Sequence, residues 1–147
     1  MIKKILRYPE DVEILSQKSE EVNWEDEKEL VQDLKDTLDT KPAGAGISAI
    51  QIGIPKRICV IRYAGKELVM FNPIITWRRN NTQLFREGCL SSPLGFVEVP
   101  RAQKVICEYI DENGEKQTIG EGGWMSAIIQ HELDHFEGIC QPYELLK

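Results

Sequence analysis

Both histidines of this chain fall in one short stretch, His131-Glu132-Leu133-Asp134-His135. On a helix, residues four apart share a face, so the two imidazoles can converge on one metal ion with Glu132 beside them. That pattern constrains the fold. A catalytic tetrahedral site takes three protein ligands and keeps its fourth position for water or substrate, so a second element must carry another ligand to the helix. The plainer alternative is a solvated polar helix face.

Elimination leaves one candidate for the third ligand. The extended zinc-protease pattern HExxHxxGxxH is followed through Gly138, but Gln141 stands where its last histidine belongs. A downstream glutamate is the other familiar option, and Glu137 and Glu144 lie too near for that pattern. Cys89, in Glu87-Gly88-Cys89-Leu90-Ser91, is the remaining candidate: Gly88 permits a tight turn, and thiolate joins imidazole on borderline divalent metals. The competing reading of Cys89 is a buried structural thiol. Cys59 and Cys107 lie in apolar runs and are expected to act as small hydrophobes. The four cysteines form no CxxC pair, and without a secretory signal a disulfide framework is not expected.

A chain of 147 residues suits one domain, taken here as residues 1–147. Its net charge of -6 and pI near 5.0 argue against a nucleic-acid surface. No apolar run approaches the length of a membrane span, and Pro9 interrupts the N-terminal segment before a signal-peptide core forms. A soluble cytoplasmic protein is expected. The first twenty or so residues read as extended segments and turns. Asn23, the acidic run after Trp24, and the spacing of Leu30, Val31, Leu34 and Leu38 predict a helix over about 24–39. Strand-like runs follow at 57–63 and 67–71, joined by a turn at 64–66, then at 74–77, 82–85, 96–99, 104–110 and 116–119. A second helix is predicted over about 124–137, ended by Gly138. Hairpin-linked strands between one N-terminal helix and a central HExxH helix indicate an α+β fold with mostly antiparallel sheets.

Gly44-Ala45-Gly46-Ile47-Ser48-Ala49 satisfies the dinucleotide fingerprint, but a helix precedes it and Pro55 follows closely, which is the wrong context for that function. The stretch suits a cleft lining instead, with Gln51 presenting its amide to an oxyanion; alternatively Gln51 bonds its own turn.

Three stretches, Gly44-Ala45-Gly46-Ile47-Ser48-Ala49-Ile50-Gln51, Glu87-Gly88-Cys89-Leu90-Ser91 and Gln130-His131-Glu132-Leu133-Asp134-His135, together resemble the three motifs of peptide deformylases in order and spacing. The resemblance implies removal of the formyl group from the N-terminal formylmethionine of nascent polypeptides, with release of formate. It implies that Cys89, His131 and His135 hold one divalent metal, typically Fe(II) with zinc, nickel or cobalt able to substitute. Glu132 would take the proton of the attacking water and later pass a proton to the departing amine. The Leu90 backbone N–H and the Gln51 amide would stabilise the developing oxyanion. Gly46 and Ile47 would pair with the substrate backbone, and Phe96, Trp124, Ala127 and Ile128 would line the methionine pocket.

The departures from the family pattern are Ser48 where alanine is common and Trp124 where a smaller aliphatic residue is usual. Bacterial members usually continue past the position of Gly138 with another strand and a C-terminal helix associated with ribosome docking. This chain resembles the trimmed forms of some phage genomes, for which the host cytoplasm is the expected location, and ribosome docking is not carried over to it. A buried pairing with Arg101 is expected for Asp134. A zinc endopeptidase on the same helix and a non-catalytic metal-stabilised binding module are the competing functional classes.

Overall fold

The computed structural model describes residues 1–146. Two antiparallel sheets enclose a nearly buried helix. The larger sheet has five strands in the order β1 (Gly46–Ser48), β2 (Ile58–Tyr63), β3 (Lys66–Arg78), β6 (Lys104–Ile110) and β7 (Lys116–Gly122). The smaller sheet pairs β4 (Thr82–Glu87) with β5 (Val97–Ala102). The expected α+β class holds, as do the hairpin between β2 and β3 and the one between β6 and β7. Ala64 and Gly65 take positive φ values of 52° and 78°, which lets the first hairpin reverse over two residues.

The expected strands at 67–71 and 74–77 are one strand, β3. Pro73 suggests a break, because it has no N–H for the ladder. The chain accommodates it with a bulge: the register against β6 shifts between Phe71 and Ile74, and Asn72 adopts φ of 52°. Asn72 also anchors a neighbouring segment, since its Oδ1 accepts from Val22 N (2.9 Å) and its Nδ2 donates to Val22 O (2.8 Å).

The expected N-terminal helix is divided. A 3₁₀ turn, Trp24–Asp26, begins where Asn23 accepts from the Glu25 N–H, and α2 (Lys28–Asp39) follows. Val31, Leu34 and Leu38 line the buried stripe of α2 and pack on Ile58, Val60 and Ile47 of the sheet. Two further short helices were not anticipated, α1 (Val12–Leu15) and α4 (Gln141–Leu146). Tyr143 of α4 stacks on Tyr8 at 4.3 Å, holding the N-terminal segment against the end of the chain.

The central helix, α3 (Gly123–Phe136), matches the expectation to within a residue at each end. Its Met125, Ile129 and Phe136 pack against Cys59, Ile61, Met70 and Cys107 of the large sheet, so the two strand cysteines do serve as core hydrophobes. On another face, Gln130 behaves like a strand edge: Oε1 accepts from Ala102 N (3.0 Å) and Nε2 donates to Ala102 O (2.9 Å). Those bonds fix the rotation of α3 against β5. Gly138, at φ of 76°, then lets the chain turn back beneath the helix. No helix among the described residues is long and apolar enough to cross a membrane.

Candidate active site

Three elements meet where α3 passes between the sheets. Helix α3 presents His131 and His135 one turn apart, and the turn following β4 presents Cys89. One ligand atom from each of these three residues lies within 4.8 Å of the others. Cys89 Sγ is 3.3 Å from His135 Nε2. His131 Nδ1 donates to Glu87 Oε1 at 2.8 Å, which fixes the tautomer and leaves Nε2 with its lone pair.

The 3₁₀ turn Ala49–Ile52, which follows β1, places Gln51 against the same centre. Its Nε2 lies 3.7 Å from Cys89 Sγ and donates to Ser91 Oγ at 3.1 Å. Its Oε1 accepts from Ser48 N at 2.9 Å. The side chain therefore closes its own turn, one of the two readings offered for it, while its amide lies toward the Cys89 thiol.

Glu132 is 3 % exposed and points at the β1 edge. A Cβ built on Gly46 would sit 2.8 Å from Glu132 Oε2, so only glycine leaves the carboxylate its place. Burial raises the Glu132 pKa, against the opposing influence of His131 and of a hydrogen bond from Ser48. Burial also pushes His135 well below the ordinary imidazole value, with His131 and Arg101 adding to the effect. For His131, burial works against the charged form, but Glu87 and Glu132 together outweigh it and its pKa is raised.

These side chains open onto a cleft of about 820 Å³. Gly46, Leu90, Phe96, Trp124, Ala127 and Ile128 line it. Phe96 lies over Gly88, whose missing side chain makes room for the ring. Trp124 meets Phe85 edge to face at 5.1 Å, so its indole is held at the rim. Ile47 differs: it is fully buried in the core beneath α2 and is not among the residues that line the cleft. Within the glycine-rich stretch, Gly46–Ser48 form β1, the edge of the sheet, paired on one side with β2.

Residues 2–144 match the family model for polypeptide deformylase. The chain belongs to the peptide deformylase family. A peptide deformylase of Pelagibacter ubique is 38% identical over 143 residues, covering 94% of this chain and 83% of that protein. A probable peptide deformylase from Synechococcus phage S-SSM7 superposes with a TM-score of 0.85 at 32% identity, covering 94% of this chain and 96% of that one. The deformylase of Synechococcus elongatus, solved in complex with actinonin, gives 0.84 at 30% identity over 92% and 74%. Peptide deformylases are metal-dependent, and the donor set here fits a cation. Two imidazoles and a sulfur suit a borderline divalent metal. The Cys140 thiol beside it, together with burial, holds Cys89 above the ordinary thiol range, and a bound cation would favour the thiolate that ligation uses.

Several residues around this deformylase centre were not singled out from sequence. Glu87 is the chief one. Arg101, 5 % exposed, donates from Nη2 to Glu87 Oε1 (2.6 Å), from Nε to Glu87 Oε2 (3.2 Å), and from Nη1 to Asp134. The expected Asp134 pairing is therefore present, as one arm of a larger network. Burial disfavours the Glu87 carboxylate, but its bonds to His131 and Arg101 prevail and its pKa is lowered. A signal existed: on β4, Glu87 is two residues from buried Phe85 and shares its face, which turns it toward the helix.

Proposed function

We propose that this enzyme hydrolyses the formyl amide of N-formylmethionyl peptides, giving formate and a free amino terminus. The observation that carries this reading is the convergence of Cys89, His131 and His135 beside Glu132 and Gln51, next to a cleft bordered by the edge strand β1. Cys89, His131 and His135 would hold the metal, Fe(II) in the native state, with zinc, nickel or cobalt able to occupy the same ligands. Such a cation supplies Lewis acidity toward a carbonyl oxygen and makes water a nucleophile at neutral pH.

The chain's own groups do the rest. Substrate enters as an extended strand along β1, where the backbone of Gly46 and Ile47 offers the pairing groups of an unoccupied edge. The methionine side chain lies among Phe96, Trp124, Ala127 and Ile128. Glu132 takes the proton of the attacking water and returns a proton to the nitrogen as the C–N bond breaks. Oε2, on the Gly46 side, is the oxygen placed for this, because Oε1 is engaged by Ser48. The Gln51 Nε2 and the Leu90 N–H stabilise the negative charge that builds on the formyl oxygen. The reading places the whole chain, residues 1–147, in one catalytic domain acting in the cytoplasm.

Mass spectrometry of a formyl-Met tripeptide incubated with the iron- or nickel-loaded protein tests this reading. The expected product has lost its formyl group with both peptide bonds intact. Internal cleavage would favour an endopeptidase, and an unchanged peptide with metal bound would favour a binding module.

A further inference from the structure

Ser48 stands directly against Glu132, and its side chain is fully buried. Its Oγ lies 3.0 Å from Glu132 Oε1 and 3.1 Å from the Glu132 backbone carbonyl. A hydroxyl carries one proton, so it can donate to only one of these acceptors at a time. The carbonyl belongs to helix α3, whereas the carboxylate oxygen is the nearer of the two acceptors and ends a side chain that the bond can orient. The backbone of Ser48 meanwhile donates to Gln51 Oε1 at 2.9 Å. One residue thus touches both groups assigned to the reacting amide.

We propose that Ser48 is a positioning residue for Glu132, its hydroxyl holding Oε1 so that Oε2 stays against Gly46 at the cleft. The inference rests on the deformylase reading of the site. A glutamate has three side-chain torsions, and burial alone does not select one arrangement of its carboxylate. Here the carboxylate is bracketed on two sides: Ser48 bonds one oxygen, and the Gly46 backbone leaves room for the other. Both brackets come from β1, so the strand that receives substrate also aims the proton carrier. The alternative role for the hydroxyl is a tether, donating to the Glu132 carbonyl and simply tying α3 to β1.

A double-mutant cycle separates the two roles. Formate release is measured for the metal-loaded wild type, Ser48→Ala, Glu132→Gln and the double variant, the slow pair under single-turnover conditions, with bound metal quantified for each. Positioning predicts that Ser48→Ala lowers kcat roughly tenfold, the scale of one charge-assisted hydrogen bond, with KM and metal content unchanged. It also predicts that the same substitution changes the rate by less than about twofold once Glu132 is glutamine. An equal loss in both backgrounds, or none in the wild type, would overturn the proposal. A crystal structure of Ser48→Ala gives a readout without turnover: more than one Glu132 side-chain conformer is expected, and a single unchanged conformer would contradict it. Absence of formate release by the wild type would instead remove the deformylase reading itself.

Discussion

Glu87 Oε1 accepts from His131 Nδ1 at 2.8 Å, and the same carboxylate is gripped by Arg101 through two nitrogens. One strand residue thereby sets the ring orientation and tautomer of a helix residue. Outer partners of this kind typically change metal affinity by about 10- to 100-fold. Glu87→Gln keeps the shape but loses the charge that balances Arg101. Metal titration of this variant is expected to show affinity at least about tenfold weaker, with the fold retained by circular dichroism.

Cys89 distinguishes this centre from one held by histidines and carboxylates. With cobalt bound, the wild type is expected to show a sulfur-to-metal charge-transfer band in the near ultraviolet. Cys89→Ser should abolish that band and most of the activity together. A variant that kept both would place the third ligand elsewhere.

Gly138 ends α3 at φ of 76°, and a Cβ there would lie 2.2 Å from the Ser16 backbone oxygen. Two costs coincide, a disfavoured backbone conformation and a clash with main chain that cannot swing aside. Gly138→Ala is expected to lower stability by about 2 kcal/mol or more, measured as a fall in the urea midpoint.

The core thiols make stability fall on the alkaline side. Burial pushes Cys107 up to about 11 and drives Cys59 well above the ordinary thiol range. A thiol whose folded pKa is raised loses its proton first in the unfolded chain, so its contribution is full below the ordinary thiol pKa of about 8.5 and declines as pH rises toward the folded value. Between about pH 9 and 11, Cys107→Ala should therefore lose stability less steeply than the wild type, as followed by urea unfolding at each pH.

Much of this arrangement could be read from the chain because local periodicity carries it. His131 and His135 are one turn apart on any helix, and the buried stripe of α2 is visible in Val31, Leu34 and Leu38. The inner strand boundaries of the β6–β7 hairpin follow from the Asn113-Gly114 turn, although β7 runs on to Gly122, past the expected end at residue 119. What was missed depends on distant partners. β1 is only three residues long and begins with glycine, so its strand character comes from pairing with β2 rather than from its own sequence. β3 continues through Pro73 because Asn72 absorbs the extra residue in a bulge, which no run of apolar residues announces. The Glu87–Arg101–Asp134 network joins three elements, and only the Arg101–Asp134 arm was foreseen. The Ser48 hydroxyl is visible in the chain only as a departure from alanine, because its approach to Glu132 depends on how β1 packs against α3.

The most direct test of the whole account is formate production from formyl-Met-Ala-Ser by protein purified anaerobically and loaded with one equivalent of iron or nickel, beside Glu132→Ala loaded in the same way. Steady formate release by the wild type is expected, with a loss of at least about a hundredfold in Glu132→Ala at equal metal content. No release by the metal-loaded wild type, or equal release by the two proteins, would contradict it.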